Sequence, residues 1–150
     1  SLKICKELGN KRGTAASLNN IGLIYNAIGD YNKALEYYYS ARKIKEELGS
    51  KRGIGICFNN IGIVYIDKGD IDKALDYLEK SLTLQKEIGL GEGSLMLETT
   101  TYLYLTYKHL GKEYDVNEIH RLIKEAENIE FDLNYAIYQL LEDKSYLETA

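Results

Sequence analysis

Apolar residues recur three and four positions apart through most of this chain. One series is Leu18, Ile21, Gly22 and Tyr25. That i, i+3, i+4, i+7 spacing gathers side chains onto one face of a helix. After Gly29-Asp30 a second series follows, Ala34, Tyr38 and Ala41. The same order then returns as Phe58, Ile61, Gly62 and Tyr65, then Gly69-Asp70, then Ala74, Leu78 and Ser81. The pattern predicts helices over 13–27, 30–48, 52–67, 70–88, 93–109 and 112–127. Glycine supplies the punctuation, because proline is absent. Gly9, Gly49 and Gly89 each follow a charge-rich helical run, where a left-handed glycine ends a helix. Gly29 and Gly69 are each followed by Asp, a good N-cap for the next helix. The unit is therefore helix, tight turn, helix, loop.

That unit is a repeat. Asn19-Asn20-Ile21-Gly22-Leu23-Ile24-Tyr25 returns forty residues later as Asn59-Asn60-Ile61-Gly62-Ile63-Val64-Tyr65, and Lys33-Ala34-Leu35 as Lys73-Ala74-Leu75. A constant period of this size means stacked helical hairpins. Gly22 and Gly62 are small where two helices cross closely, and Tyr38 lies between small residues so that its ring fills the gap. Residues 1–13 align with 41–53: Ile4 with Ile44, Leu8 with Leu48, Lys11-Arg12 with Lys51-Arg52. A third, degenerate hairpin puts Gly111 at the turn, Tyr107 in the place of Tyr25, Val116 in the place of Ala34 and Tyr104 in the place of Gly22. A fourth unit begins near Phe131, with Tyr138 in register and Glu142-Asp143 in place of Gly-Asp. The expected organisation is one repeat domain over 1–150, a piece of a longer chain. It comprises the end of a preceding repeat (1–13), repeats 14–53 and 54–93, the degenerate repeat 94–130 and a partial repeat 131–150.

Small residue, Tyr, Ala, aromatic and Ala at Gly22, Tyr25, Ala34, Tyr38 and Ala41 resemble the tetratricopeptide repeat (TPR) pattern. The resemblance implies an all-α fold, antiparallel helix hairpins stacked into a right-handed superhelix, an α-solenoid. The forty-residue period, with Glu46 and Lys86 where the family often has proline, looks like the long-repeat subclass seen in kinesin light chains, Pins-type adaptors and bacterial signalling proteins. The resemblance also implies that the leading helix of each hairpin lines a concave groove for a protein or peptide partner.

Composition narrows the function by exclusion. A net charge of −4 gives no basic field for nucleic acid or anionic membrane. No apolar run reaches the length of a membrane span, and no signal peptide opens the chain. Cys5 and Cys57 have no metal or redox spacing, which suits a reducing, cytoplasmic compartment. His109 and His120 stand apart from any ligand set. No phosphate loop, paired carboxylates or nucleophile–base arrangement is visible, so no catalytic residue, cofactor or metal is expected. Lys11-Arg12 and Lys51-Arg52 read as helix-end charges screened by nearby glutamates rather than as a basic docking strip.

Helix geometry sets the direction opposite Gly22 and Tyr25. Asn19, Asn20 and Leu23 point that way, as do Asn59, Asn60, Ile63 and Asp67 in the second copy and Tyr102 in the third. With the resemblance, these eight become the candidate groove. Asparagine offers an acceptor and two donors, the complement of a peptide unit. The alternative is that one Asn of each pair bonds a neighbouring helix and holds the stack together. Two other functions compete with peptide binding. One is a coupling region in a bacterial cyclase or histidine kinase, resting on a resemblance of the stretch from Tyr138 to Ala150. The other is homo-oligomerisation through exposed repeat ends.

Overall fold

A computed structural model describes residues 2–89, 93–126 and 131–142. It is all-α, with helices α1 (Leu2–Ala27), α2 (Tyr31–Glu47), α3 (Lys51–Lys68), α4 (Ile71–Glu87), α5 (Ser94–His109), α6 (Val116–Glu125) and α7 (Phe131–Leu141). Contacts divide the chain into two compact units, 1–84 and 85–150.

The joints form as the sequence requires. Gly29 and Gly69 adopt φ of 82° and 81°. The amides beyond the helix turn back on it: Gly29 N–H donates to Asn26 O at 3.0 Å and Asp30 N–H to Tyr25 O at 2.9 Å. Gly69 and Asp70 repeat this onto Ile66 and Tyr65, satisfying carbonyls that a helix end leaves open. The Asp30 carboxylate then accepts from Lys33 N–H, and Asp70 from Lys73 N–H, starting α2 and α4. Ser50 does the same for α3 through Gly53 N–H.

In the first unit, helices cross where glycine permits it. A Cβ on Gly22 would stand 2.7 Å from the Tyr38 ring, and one on Gly62 2.7 Å from Leu78 Cγ. Ala34, Leu35, Tyr38, Ile61, Val64, Tyr65 and Ala74 form the core shared by α2, α3 and α4. Ser81 Oγ donates to Gly55 O at 2.7 Å, tying α4 to α3. Of the tyrosine run, Tyr38 is enclosed and Tyr37 stacks on Tyr25 at 5.4 Å. Tyr39 reaches the next hairpin, its hydroxyl 3.0 Å from that of Tyr65 and 3.4 Å from that of Tyr77.

The second unit has its own core, built on Leu97, Leu103, Ile119, Leu122 and Ile137. Gln85 is buried in it and donates to Thr99 Oγ1 at 2.7 Å. Tyr104 fills the place of the glycine and donates its hydroxyl to Glu118.

Two expectations change. Gly9 does not end a helix: α1 runs unbroken from Leu2, and Gly9 is absent from the left-handed glycines that include Gly49 and Gly89. Residues 2–14 are exposed throughout, so no packing opposes the helical path. Val116 does not take the place of Ala34. The turn after Gly111 runs on to Asp115, which caps α6, so Ile119 falls four residues past the cap and is the enclosed residue, while Val116 is 39% exposed. Beyond Leu141, Glu142 does occupy the turn-glycine position, with φ of 57°. Asp143, its expected partner in that turn, lies outside the described residues.

Candidate functional site

The leading helices α1 and α3 lie side by side, and polar side chains fasten them. The Cys57 thiol donates to Asn19 Oδ1 at 3.8 Å. Nearer the helix ends, Asn26 Nδ2 donates to Asp67 Oδ2 at 3.0 Å. One residue past Asn19 the helix turns by roughly 100°, and Asn20 is exposed there. Leu23 follows on the same side, 51% exposed. On α3, Asn60 and Ile63 are half-buried, and Asp67 is exposed and accepts from Asn26.

Each asparagine pair therefore divides. Asn19 is half-buried against α3, and Asn59 is completely enclosed. Thr101, in the same place on the third leading helix, is also enclosed, with its hydroxyl turned onto Leu97 O. Asn59 has no exposed surface, which corrects the expectation that it faces a ligand. The second residue, Asn20 or Asn60, is the accessible one. Tyr102 belongs to the second unit and is half-buried there.

Three described residues have clearly shifted titration. Burial pushes the Cys57 thiol up to about 11, against the weaker opposite pull of Lys45 and Arg42, so it stays protonated at neutral pH. Burial, and then the Tyr65 and Tyr77 hydroxyls, raise Tyr39 well above the ordinary tyrosine value. Burial and Glu118 raise Tyr104 in the same direction. Among the described residues no group of His, Cys, Asp and Glu could hold a metal ion. Nor, among them, is any helix long and apolar enough to cross a membrane. Lys11 pairs with Glu47 at 3.1 Å, but it stands inside α1 rather than at a helix end, which corrects that part of its reading.

Two features escape the sequence. The hydroxyl cluster of Tyr39, Tyr65 and Tyr77 depends on which rings meet across hairpins. An open groove of about 600 Å³ is lined by Lys51, Ile54 and Phe58 of α3 and by Asp76, Glu79, Lys80, Thr83 and Leu84 of α4. Periodicity does not mark it, because the outward charges of α4 read as a solvated helix face.

Stacked hairpins with paired leading helices define a helical-repeat fold. The tetratricopeptide repeat family profile matches residues 1–47 and 13–87, and the chain belongs to that family. Such repeats are non-catalytic scaffolds that bind other proteins, in keeping with a non-enzymatic chain. Among solved structures, BtubC (BKLC) from P. vanneervenii is similar, with a TM-score of 0.60 and 18% identity. The match covers 90% of this chain and 59% of that one, and the likeness is one of fold. No curated protein matches at a significant level.

Proposed function

We propose that this chain binds an extended or helical segment of a protein partner along the outward side of α1 and α3. The observation that carries this reading is the exposure of Asn20 and Leu23 beside the half-buried Asn60 and Ile63. The amides of Asn20 and Asn60 meet the partner's backbone, Leu23 and Ile63 take its apolar side chains, and Asp67 selects a donor at one end. Asn19 and Asn59 hold the two helices that present them. Trailing helices of 17 residues, α2 and α4, support membership of the long-repeat subclass. Unpaired Cys5 and Cys57 fit a reducing, cytoplasmic setting. The coupling-region alternative rests on a stretch that from Asp143 onward lies outside the described residues.

The test is a partner captured with the parent protein and titrated calorimetrically against this chain. Replacing Asn20 and Asn60 together by Ala removes two backbone bonds of about 0.5–1.5 kcal/mol each, so affinity falls roughly 5- to 150-fold. Unchanged affinity in a folded double variant sinks the proposal.

A further inference from the structure

Ile54 and Phe58 stand on the side of α3 turned away from Asn60 and Ile63. Phe58 precedes Asn60 by two residues, about 200° around the helix. With Leu84 of α4 they form the apolar part of the groove of about 600 Å³, and all three are half-buried. The hairpin itself does not require this floor. On α1 the positions of Ile54 and Phe58 hold Thr14 and Leu18, although Gly22 and Tyr25 return unchanged as Gly62 and Tyr65. The volume falls within the range of sites that enclose a small ligand or a few side chains.

Arg42 of α2 stands at the Phe58 end. Its guanidinium lies over the Phe58 ring at 5.7 Å and over the Tyr39 ring at 5.6 Å. The two rings hold the planar fork in place and strip part of its hydration. Nε is buried and stands 3.1 Å from Glu46 Oε1, yet it is not aligned for a hydrogen bond. Among the described residues Glu46 is the one carboxylate paired with Arg42, and the contact is through Nε. The two terminal nitrogens therefore keep their donors for another acceptor. The side chain is 31% exposed, enough for a partner to reach it. The α4 rim differs: Lys80 is neutralised by Asp76 at 2.7 Å, and Glu79 adds a further carboxylate. An anion entering the groove is repelled from that rim and drawn toward Arg42.

We propose that the α3–α4 groove, together with Arg42, is a second docking site that takes a short partner segment carrying a large apolar side chain next to an Asp or Glu. The apolar side chain rests on Ile54, Phe58 and Leu84. The carboxylate accepts from both terminal nitrogens of Arg42, the bidentate pairing that this fork favours. Guanidinium and ring lie 5.7 Å apart, which puts the acid on the residue beside the anchor. The site faces away from Asn60 and does not depend on peptide binding there.

The probe is the capped peptide acetyl-Ser-Leu-Phe-Asp-Ser-amide, titrated into the isotope-labelled chain and followed by NMR of backbone amides and arginine Nε–H groups. Saturable shifts are expected at Ile54, Phe58, Leu84 and the Arg42 Nε–H. The affinity is expected to be roughly tenfold tighter than that of the same peptide with Asn in place of Asp. Arg42→Gln should bring the acidic peptide down to the level of the Asn peptide and leave the Asn peptide where it was. No saturation up to about 10 mM, equal affinity of the two peptides, or shifts confined to Asn20 and Asn60 overturns the proposal. An equal loss of both peptides in a folded Arg42→Gln chain also overturns it, because Arg42 then supports the fold alone. The comparison of the two peptides on the unaltered chain decides the matter whether or not that variant folds.

Discussion

At the scale of single residues, burial decides between roles that the sequence leaves open. Asn19 and Asn20 are adjacent and chemically identical, yet one accepts from the Cys57 thiol of the next leading helix and the other faces solvent. The sequence supplies the pair and its direction; the separation follows from a turn of roughly 100° per residue against a neighbour whose position the sequence does not state. Cys57 carries a measurable consequence of the same enclosure. Its thiol is held up to about 11 in the folded chain, against an ordinary 9.0. Below pH 9 both folded and unfolded chains keep the proton, and stability is unaffected. Between pH 9 and about 11 the unfolded chain loses it first, so stability falls as pH rises. Tyr39 and Tyr104, raised above their ordinary 10.0, push the same way at higher pH. The urea midpoint is expected to be level from neutral pH to about 9 and to decline above it. Cys57→Ala should flatten the first part of that decline; an unchanged slope assigns it to other groups.

At the scale of helices and turns, much was legible. The left-handed glycines at 29, 49, 69, 89 and 111 close the joints. The sequence places the helices α2 to α5 to within a residue or two of their observed ends. Gly22 illustrates why: its role depends on a local partner, Tyr38, in the same hairpin. Gly22→Ala drives a methyl into a ring that is 1% exposed and cannot move aside. It is expected to cost about 1–3 kcal/mol by urea denaturation. Gly13→Ala, on the same helix with open space around it, is expected to stabilise the 150-residue chain by up to about 1 kcal/mol. A loss equal to that of Gly22→Ala would show that the helix crossing is not what selects glycine. The less regular third hairpin was harder to place. The distance from turn glycine to capping Asp is longer there, and Ile119 rather than Val116 becomes the core residue.

At the scale of the whole molecule, the chain is two compact units, and exposure within the first is uneven. Residues 2–14 are exposed throughout, whereas Tyr38, Ile61 and Val64 share an enclosed core. Amide hydrogen exchange should therefore be slowest in the middle of α2 and α3 and at least about a hundredfold faster over residues 2–14. Uniform protection along α1 would contradict a helix whose first half lacks a packing partner. The sequence by itself determined the repeat and most of its helices and turns. Those follow from spacing and from glycine and aspartate stereochemistry, which act within a few residues. Only the tertiary structure decided that Asn59 is enclosed and Asn20 open, that Tyr39 joins Tyr65 and Tyr77, and that Gly9 and Gly13 lie inside α1. Each of these depends on whether a neighbouring helix is present to exclude water and supply contacts, and sequence periodicity marks a face without stating what covers it.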